Sequence, residues 1–269
     1  MPRSSTPPRR ISRALVTGAS AGIGEEFARQ LADRGTSLVL VARRAERLRE
    51  LANELATPDR SVEVLAADLT DPGDVARVEA RLAAEDAPVD LLVNNAGYGM
   101  YGAFTELDAE RQVDMVTLNV ATLTRLAHAI LPRLRASGGG GVINLASTAA
   151  FQPDPYGAVY GATKAYVLSF SESLHEELRG SGVRVLALCP GFTTTEFQDV
   201  ASVDQGAMPS AAVMTAGPVV RAGLAAFTRG DAVCLPGVLN KLMAGGAEVT
   251  PTAVTRRLSK IAHVRFARG

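Results

Sequence analysis

Short apolar runs alternate with amphipathic helical stretches along most of this chain, and the first run empties into a loop containing three glycines. Ala14-Leu15-Val16 reads as a strand, Thr17 to Gly24 as the loop, and Glu25 to Arg34 as a helix. The pattern repeats through strand Ser37 to Val41, helix Ala45 to Leu55, strand Val62 to Leu65, helix Pro72 to Ala84 and strand Val89 to Val93. Strands that are apolar throughout need cover on both faces, so this alternation predicts a doubly wound α/β fold: a parallel sheet of about seven strands between two helical layers. Right-handed crossovers and the break after the third strand predict the order 3-2-1-4-5-6, with a ligand at the switch point beside the first strand.

The second half continues in kind. A helical stretch runs from Asp108 to Arg135, with a bend expected near Pro132. An apolar strand through Val142 and Ile143 ends at Ser147, a helix carries Tyr160 and Lys164 to Leu178, and Val183 to Leu188 is another strand. Periodicity fades between Thr193 and Pro209, and then a helix from Ala211 to Thr228 and a strand from Ala232 to Leu235 complete the sheet. Beyond Pro236, Thr250-Pro251 is a good helix start. Val254, Leu258 and Ile261 then form a narrow apolar stripe beside Arg256, Arg257 and Lys260. Such a basic stripe packs on its own domain or on a neighbouring subunit, or makes peripheral contact with an anionic membrane surface.

Composition narrows the function classes. Lys+Arg 28 against Asp+Glu 28 gives no net positive charge, and Trp is absent, which together argue against a nucleic-acid partner. Cys189 and Cys234 lie in apolar runs and offer neither a disulfide framework nor metal-ligand spacing. His128, His175 and His263 are scattered, and no metal site is expected. The first ten residues are basic and proline-rich with no apolar segment after them, so they read as a disordered tail and not a secretory leader. No apolar stretch of about 18 residues occurs, so no membrane span is expected and a cytoplasmic location fits.

Two constellations carry chemistry. A glycine-rich loop between a strand and a helix lets backbone approach a pyrophosphate, while the helix N-terminus supplies free N–H groups and partial positive charge. Gly18 would make the tight turn, Gly22 the close approach and Gly24 the contact between helix and strand. Further on, Tyr160 and Lys164 are four residues apart and share one helix face. A lysine ammonium beside a phenol is expected to lower the phenol pKa toward a useful range. Ser147 could donate to a carbonyl oxygen while Tyr160 delivers the proton.

Taken with Asn94-Asn95-Ala96-Gly97, Asn119 and Pro190-Gly191, these motifs resemble the short-chain dehydrogenase/reductase family in order and spacing, from about Arg13 to Leu235. The resemblance implies a single Rossmann domain. Residues 1–12 are then the tail, 13–235 the dinucleotide-binding and catalytic unit, and 236–269 a C-terminal helical extension of the same domain. It implies that Tyr160 is the acid/base, that Lys164 tunes it and binds the nicotinamide ribose, that Ser147 polarises the carbonyl, and that Asn119 holds a relay water. Gly18, Ser20, Gly22, Ile23, Gly24, Asp68, Asn95, Ala96, Gly97, Pro190, Gly191, Thr193 and Thr195 are the implied cofactor contacts, with Asp68 at the adenine and Thr195 near the carboxamide. Ala146 replaces a common second serine, and Thr193 stands where valine or isoleucine is usual. The helices around Asn119 and Tyr160 match those with which family members pair, implying a homodimer or homotetramer.

Cofactor choice reads from the end of the second strand. An acidic residue there would accept from a ribose 2′-hydroxyl and repel a 2′-phosphate. This chain has Ala42-Arg43-Arg44, and arginine pairs with phosphate through two charge-assisted bonds, so NADP(H) is expected, selected by Arg43 with Arg44 assisting. Met100, Tyr101, Phe104, Phe151, Phe192 and Phe197, with Met208 and Met214, are expected to form an apolar pocket mouth and lid over a hydrophobic carbonyl or alcohol substrate. A 3-oxoacyl thioester is the alternative substrate class, and a catalytically silent dinucleotide sensor or scaffold the alternative function.

Overall fold

The computed structural model describes residues 10–197, 213–249 and 256–257. In chain order its strands are β1 (Arg13–Thr17), β2 (Ser37–Ala42), β3 (Val62–Ala66), β4 (Leu91–Asn94), β5 (Gly140–Leu145), β6 (Val183–Leu188), β7 (Thr193–Thr194), β8 (Met214–Thr215) and β9 (Val233–Cys234). The helices are α1 (Gly22–Asp33), α2 (Ala45–Leu55), α3 (Pro72–Ala83), α4 (Ala109–Val116), α5 (Leu123–Ser137), α6 (Ala158–Glu177), α7 (Ala216–Arg229) and α8 (Val238–Val249). Seven strands form one parallel sheet in the order β3-β2-β1-β4-β5-β6-β9, the expected order extended by β9.

The strand period of two assigns each layer. Ala14, Val16, Leu38 and Leu40 face α1, α2 and α7 in a cluster holding Phe27, Leu48 and Leu224. Leu15, Val39 and Val41 face the opposite side, where Val78 and Leu82 of α3 and Leu126, Ile130 and Leu134 of α5 close over them. Because β2 and β3 lie to one side of β1 and β4, β5 and β6 to the other, the loops after β1 and β4 diverge at the sheet's C-terminal edge and leave a crevice.

Two expectations change. The helix is continuous through Pro132, and its departure from α geometry falls earlier, in a π-helical turn at Thr117–Thr122. The wider turn brings Asn119 and Thr122 inside, where the Thr122 hydroxyl donates to the Leu69 carbonyl at 2.7 Å. The faded stretch contains β7, which pairs in parallel with β8, from inside the helix expected at Ala211, as a separate two-stranded sheet, and α7 begins at Ala216 rather than Ala211. In the extension, α8 forms upstream of the expected start at Thr250, and Arg256 and Arg257 are helical. That start, the tail at 1–9, Met208, Val254, Leu258, Lys260, Ile261 and His263 lie outside the described residues.

Two buried amides tie the central strands to the helical layer. Asn94 of β4 donates through Nδ2 to Asn144 Oδ1 at 3.0 Å and to the Leu123 carbonyl at 3.2 Å. Asn144 of β5 donates in turn to Ser171 Oγ of α6 at 3.0 Å. Asn144→Ala breaks both links at a fully buried site and is expected to cost about 1–3 kcal/mol. Urea denaturation checks this, and a loss under about 0.5 kcal/mol would show that the network does not hold these layers together.

Candidate active site

The glycine loop is built around two backbone constraints. Gly18 and Gly22 have φ of +66° and +59°, the left-handed region that a side chain disfavours. Gly24 meets a different limit, since a Cβ there would sit 2.2 Å from the Gly18 carbonyl oxygen, so the first turn of α1 lies directly beneath the loop. The loop is fastened to the β4 end from two sides. Asn95 Nδ2 donates to the Thr17 and Gly18 carbonyls at 2.9 and 3.3 Å. The Thr17 hydroxyl accepts from the Asn95 and Ala96 amides at 3.0 and 2.9 Å. Asn95, expected at the adenosine side, thus uses its side chain to brace the loop. Ile23 packs against the core, and Ser20 faces the end of β2.

At that end the two arginines divide. Arg44 is held: its Nε donates to Ser20 Oγ at 3.1 Å, Nη2 to the Ser20 carbonyl at 3.2 Å, and Nη1 pairs with Glu196 at 2.8 Å. Arg43 is 77% exposed, and its guanidinium reaches Asp68 only at 3.9 Å. Burial works against the Asp68 carboxylate, but bonds from the Thr70 amide and hydroxyl outweigh it and, with Arg43, hold its pKa below the usual range.

The opposite wall carries the other constellation. The π-helical turn aims the Asn119 amide at the Tyr98 carbonyl (2.9 Å) and Thr163 Oγ1 (3.1 Å), and Asn119 Oδ1 accepts from the Tyr98 amide at 3.2 Å. Thr163 donates to the Tyr160 carbonyl at 2.7 Å, so Asn119 is coupled to the turn that carries the tyrosine. Lys164 is buried, and its Nζ donates to the Leu145 carbonyl at 2.7 Å and lies 5.7 Å from the Tyr160 ring centroid. Ser147 caps the short 3-10 turn Thr148–Phe151, its hydroxyl accepting from the Ala149 amide at 3.1 Å.

The expected depression of the tyrosine pKa is reversed. Burial pushes the Tyr160 phenol up to about 12, a hydrogen bond with Ser147 pulls it partly back, and the Asp154 charge adds to the rise. Burial also pulls Lys164 down to about 8, so the lysine is a weaker source of positive charge than an exposed one. Burial dominates both shifts, and neither group is a cause of the other's.

Pro190 and Gly191 close the crevice from a third side. The Pro190 carbonyl accepts from the Thr148 amide at 3.0 Å, and a Cβ on Gly191 would lie 2.5 Å from Asn240 Oδ1 of α8. Thr193 Oγ1 donates to the Gly191 carbonyl at 3.1 Å, and Thr195 packs on Gly22, where a Cβ would meet it at 3.0 Å. The glycine loop and the Pro190–Thr195 segment therefore face each other across the crevice. Among the expected apolar lining residues, Tyr101 and Phe197 rings pack on Tyr160 at centroid distances of 5.8 and 5.6 Å. Met100 and Phe104 line a cavity of about 570 Å³, which Arg256 and Arg257 also border. Phe151 and Met214 instead pack into core clusters.

Residues 12–206 match the short chain dehydrogenase family. A sulfoacetaldehyde reductase from Chromohalobacter salexigens is 40% identical over 185 residues, 68% of this chain and 73% of that protein. This chain belongs to the short chain dehydrogenase family. Solved members share the fold over nearly their whole length. A short-chain dehydrogenase from Sphingobium yanoikuyae in complex with NADPH superposes with a TM-score of 0.80 at 40% identity, covering 90% of this chain and 98% of that one. A bulky-bulky ketone specific alcohol dehydrogenase from Comamonas testosteroni gives 0.76 at 35% identity, covering 91% and 97%.

Within this short chain dehydrogenase, three participants escape a motif reading. Asn240 is a buried polar residue in apolar surroundings, a signal present in the sequence but without a spacing to interpret it. Thr163 is hidden between the two named residues of its motif. Asp154 sits in a proline-rich turn that resembles any surface loop, yet it is only 7% exposed.

Proposed function

We propose that this dehydrogenase is an NADP(H)-dependent carbonyl reductase, running in reverse as an alcohol dehydrogenase, with Tyr160 as the proton donor. The observation that carries the reading is the Tyr160 phenol itself, buried at the crevice, bonded to Ser147 and flanked by Lys164. Buried and bonded to Ser147, the phenol is neutral and has a proton to give, the state a reductase requires. Ser147 and the Tyr160 Oη would converge on the substrate oxygen, polarising it and delivering a proton as negative charge develops there. Lys164, with a pKa near 8, can release and regain a proton close to neutrality and so help to reprotonate the phenol. Asn119 holds the Tyr98 backbone and Thr163, keeping the tyrosine-bearing turn in place. A silent sensor would need none of this convergence.

The residues fit a dinucleotide. Gly18, Ser20, Gly22, Ile23 and Gly24 form a side-chain-free cradle at the start of α1 for the pyrophosphate, with Asp68, Asn95, Ala96 and Gly97 bordering the adenosine side. Pro190, Gly191, Thr193 and Thr195 border the nicotinamide end, and Lys164 the ribose. When bound, the nicotinamide supplies or accepts the hydride. Arg43, exposed and weakly engaged, is free to meet a 2′-phosphate, while Arg44 shapes the loop beside it.

The substrate we propose is a bulky apolar ketone or the corresponding alcohol. Met100, Tyr101 and Phe197 surround Tyr160, and one solved relative is named for bulky ketones. We also propose pairing of subunits through α4 and α6, where Val113, Val116 and Tyr166 are exposed apolar residues, and a cytoplasmic location, which two free cysteines favour.

Consumption of reduced cofactor with a panel of ketones, followed by its near-ultraviolet absorbance, tests the reading. Tyr160→Phe should fold and bind cofactor while kcat falls about 100-fold or more, and wild-type kcat in that variant would remove Tyr160 from the mechanism. Arg43→Asp should abolish a preference for NADP(H) of about 10- to 150-fold, the value of a charged contact. Equal Kd values for both cofactors in the wild type would sink that assignment. Light scattering should show a dimer or tetramer that Val113→Glu weakens, and a monomeric wild type would refute the pairing.

A further inference from the structure

The tyrosine has an acidic neighbour outside the family's motif set. Asp154 lies in the turn before α6 and is lodged against that helix. A Cβ on Gly157 would meet its Oδ2 at 2.6 Å, and one on Gly161 would meet its Cβ at 2.6 Å. Those two glycines leave room for the carboxyl beside the first turns of α6, the turns that carry Tyr160. Tyr101, from the loop after β4, hydrogen-bonds the carboxyl and also packs its ring on Tyr160, with centroids 5.8 Å apart and planes at 56°. Asp154, Tyr101 and Tyr160 thus form one buried cluster contributed by two chain segments. Lys164 and Ser147 face Tyr160 from α6 and from the end of β5, and Cys189 lies beyond Lys164.

We propose that Asp154, held by Tyr101 against α6, is a positioning residue for Tyr160: buried in the same cluster as the phenol, its carboxylate opposes formation of the phenolate that alcohol oxidation needs. This rests on Tyr160 being the acid/base. Burial pushes the carboxyl up to about 7, with the Tyr101 bond drawing it back, so its charge changes in the range where the enzyme would work. Above that pH the carboxylate raises the phenol, and below it the influence is withdrawn. In alcohol oxidation the substrate C–H hydride leaves to NADP⁺ and the hydroxyl proton passes to the Tyr160 phenolate, so a raised phenol opposes this direction. In reduction the phenol gives the same proton to the carbonyl oxygen as hydride arrives at carbon.

The test is the pH profile of alcohol oxidation, as kcat/KM with NADP⁺ and an alcohol turned over by the wild type. Asp154→Asn removes the charge and retains a hydrogen-bonding partner for Tyr101. Its acid limb should move to lower pH, so that the rate at a fixed pH on that limb rises about threefold or more relative to the plateau. Asp154→Ser removes the charge with a smaller side chain and should move the limb the same way. An unmoved limb in Asp154→Asn, or one moved to higher pH, overturns the proposal. Should that variant fail to fold, the Asp154→Ser limb decides by the same criterion. Tyr160→Phe separates the layers: if it is inactive while the limb stays put, only the role of Asp154 falls, whereas wild-type activity in it removes the acid/base assignment beneath.

Discussion

The stitch between the ends of β1 and β4 fixes the geometry of everything around the crevice. Thr17 and Asn95 exchange a hydroxyl and an amide across the switch point, so two loops that diverge from adjacent strands are locked to each other. Backbone carbonyls at a tight turn would otherwise lack partners in a buried setting, and each such group carries a desolvation cost of about 1–3 kcal/mol. With those carbonyls satisfied, the loop can hold positive φ at Gly18 and Gly22, and α1 can begin directly under it. The Pro190–Thr195 segment then rests on the finished loop through Thr195.

Desolvation governs the other wall. The same burial that excludes water from Tyr160 raises its pKa and lowers that of Lys164, so proximity of a lysine does not by itself make a phenolate. The outcome depends on what else the groups touch. Lys164 donates a hydrogen bond to the Leu145 carbonyl, an uncharged acceptor, and the charge acting on the Tyr160 pKa is that of Asp154 rather than a cation's. Burial therefore leaves the phenol in its neutral, protonated form, which the spacing of the motif alone would not have told.

The sequence showed the fold well because the sheet is buried on both faces. Apolar runs, glycine loops and helical period are then strong signals, and Val183–Leu188 and Ala45–Leu55 fall on the expected residues. Legibility failed where a polar contact decides the local geometry. The π-helical turn at Asn119 leaves the hydrophobic period nearly intact, so Pro132 attracted the expected bend, although the helix accommodates that proline. In the site, the motif residues line two walls of the crevice, but their partners do not announce themselves. Asn144, Thr163 and Asp154 are ordinary polar letters until the sheet brings them within bonding distance.

The end of β2 shows how such hidden partners change the reading of a charge. Two adjacent arginines at the start of α2 oppose the helix dipole, and a bound anion is one explanation for both. Arg44 has another: Glu196 and Ser20 account for its guanidinium and tie the glycine loop to the segment that faces it across the crevice. That leaves Arg43, whose contact with Asp68 at 3.9 Å is too long and too exposed to contribute much. An arginine in such a position keeps its five donors available, and a phosphate arriving there would displace little. On the proposed reading, a 2′-phosphate would meet one side chain, while its neighbour holds the loop on which the rest of the dinucleotide would lie.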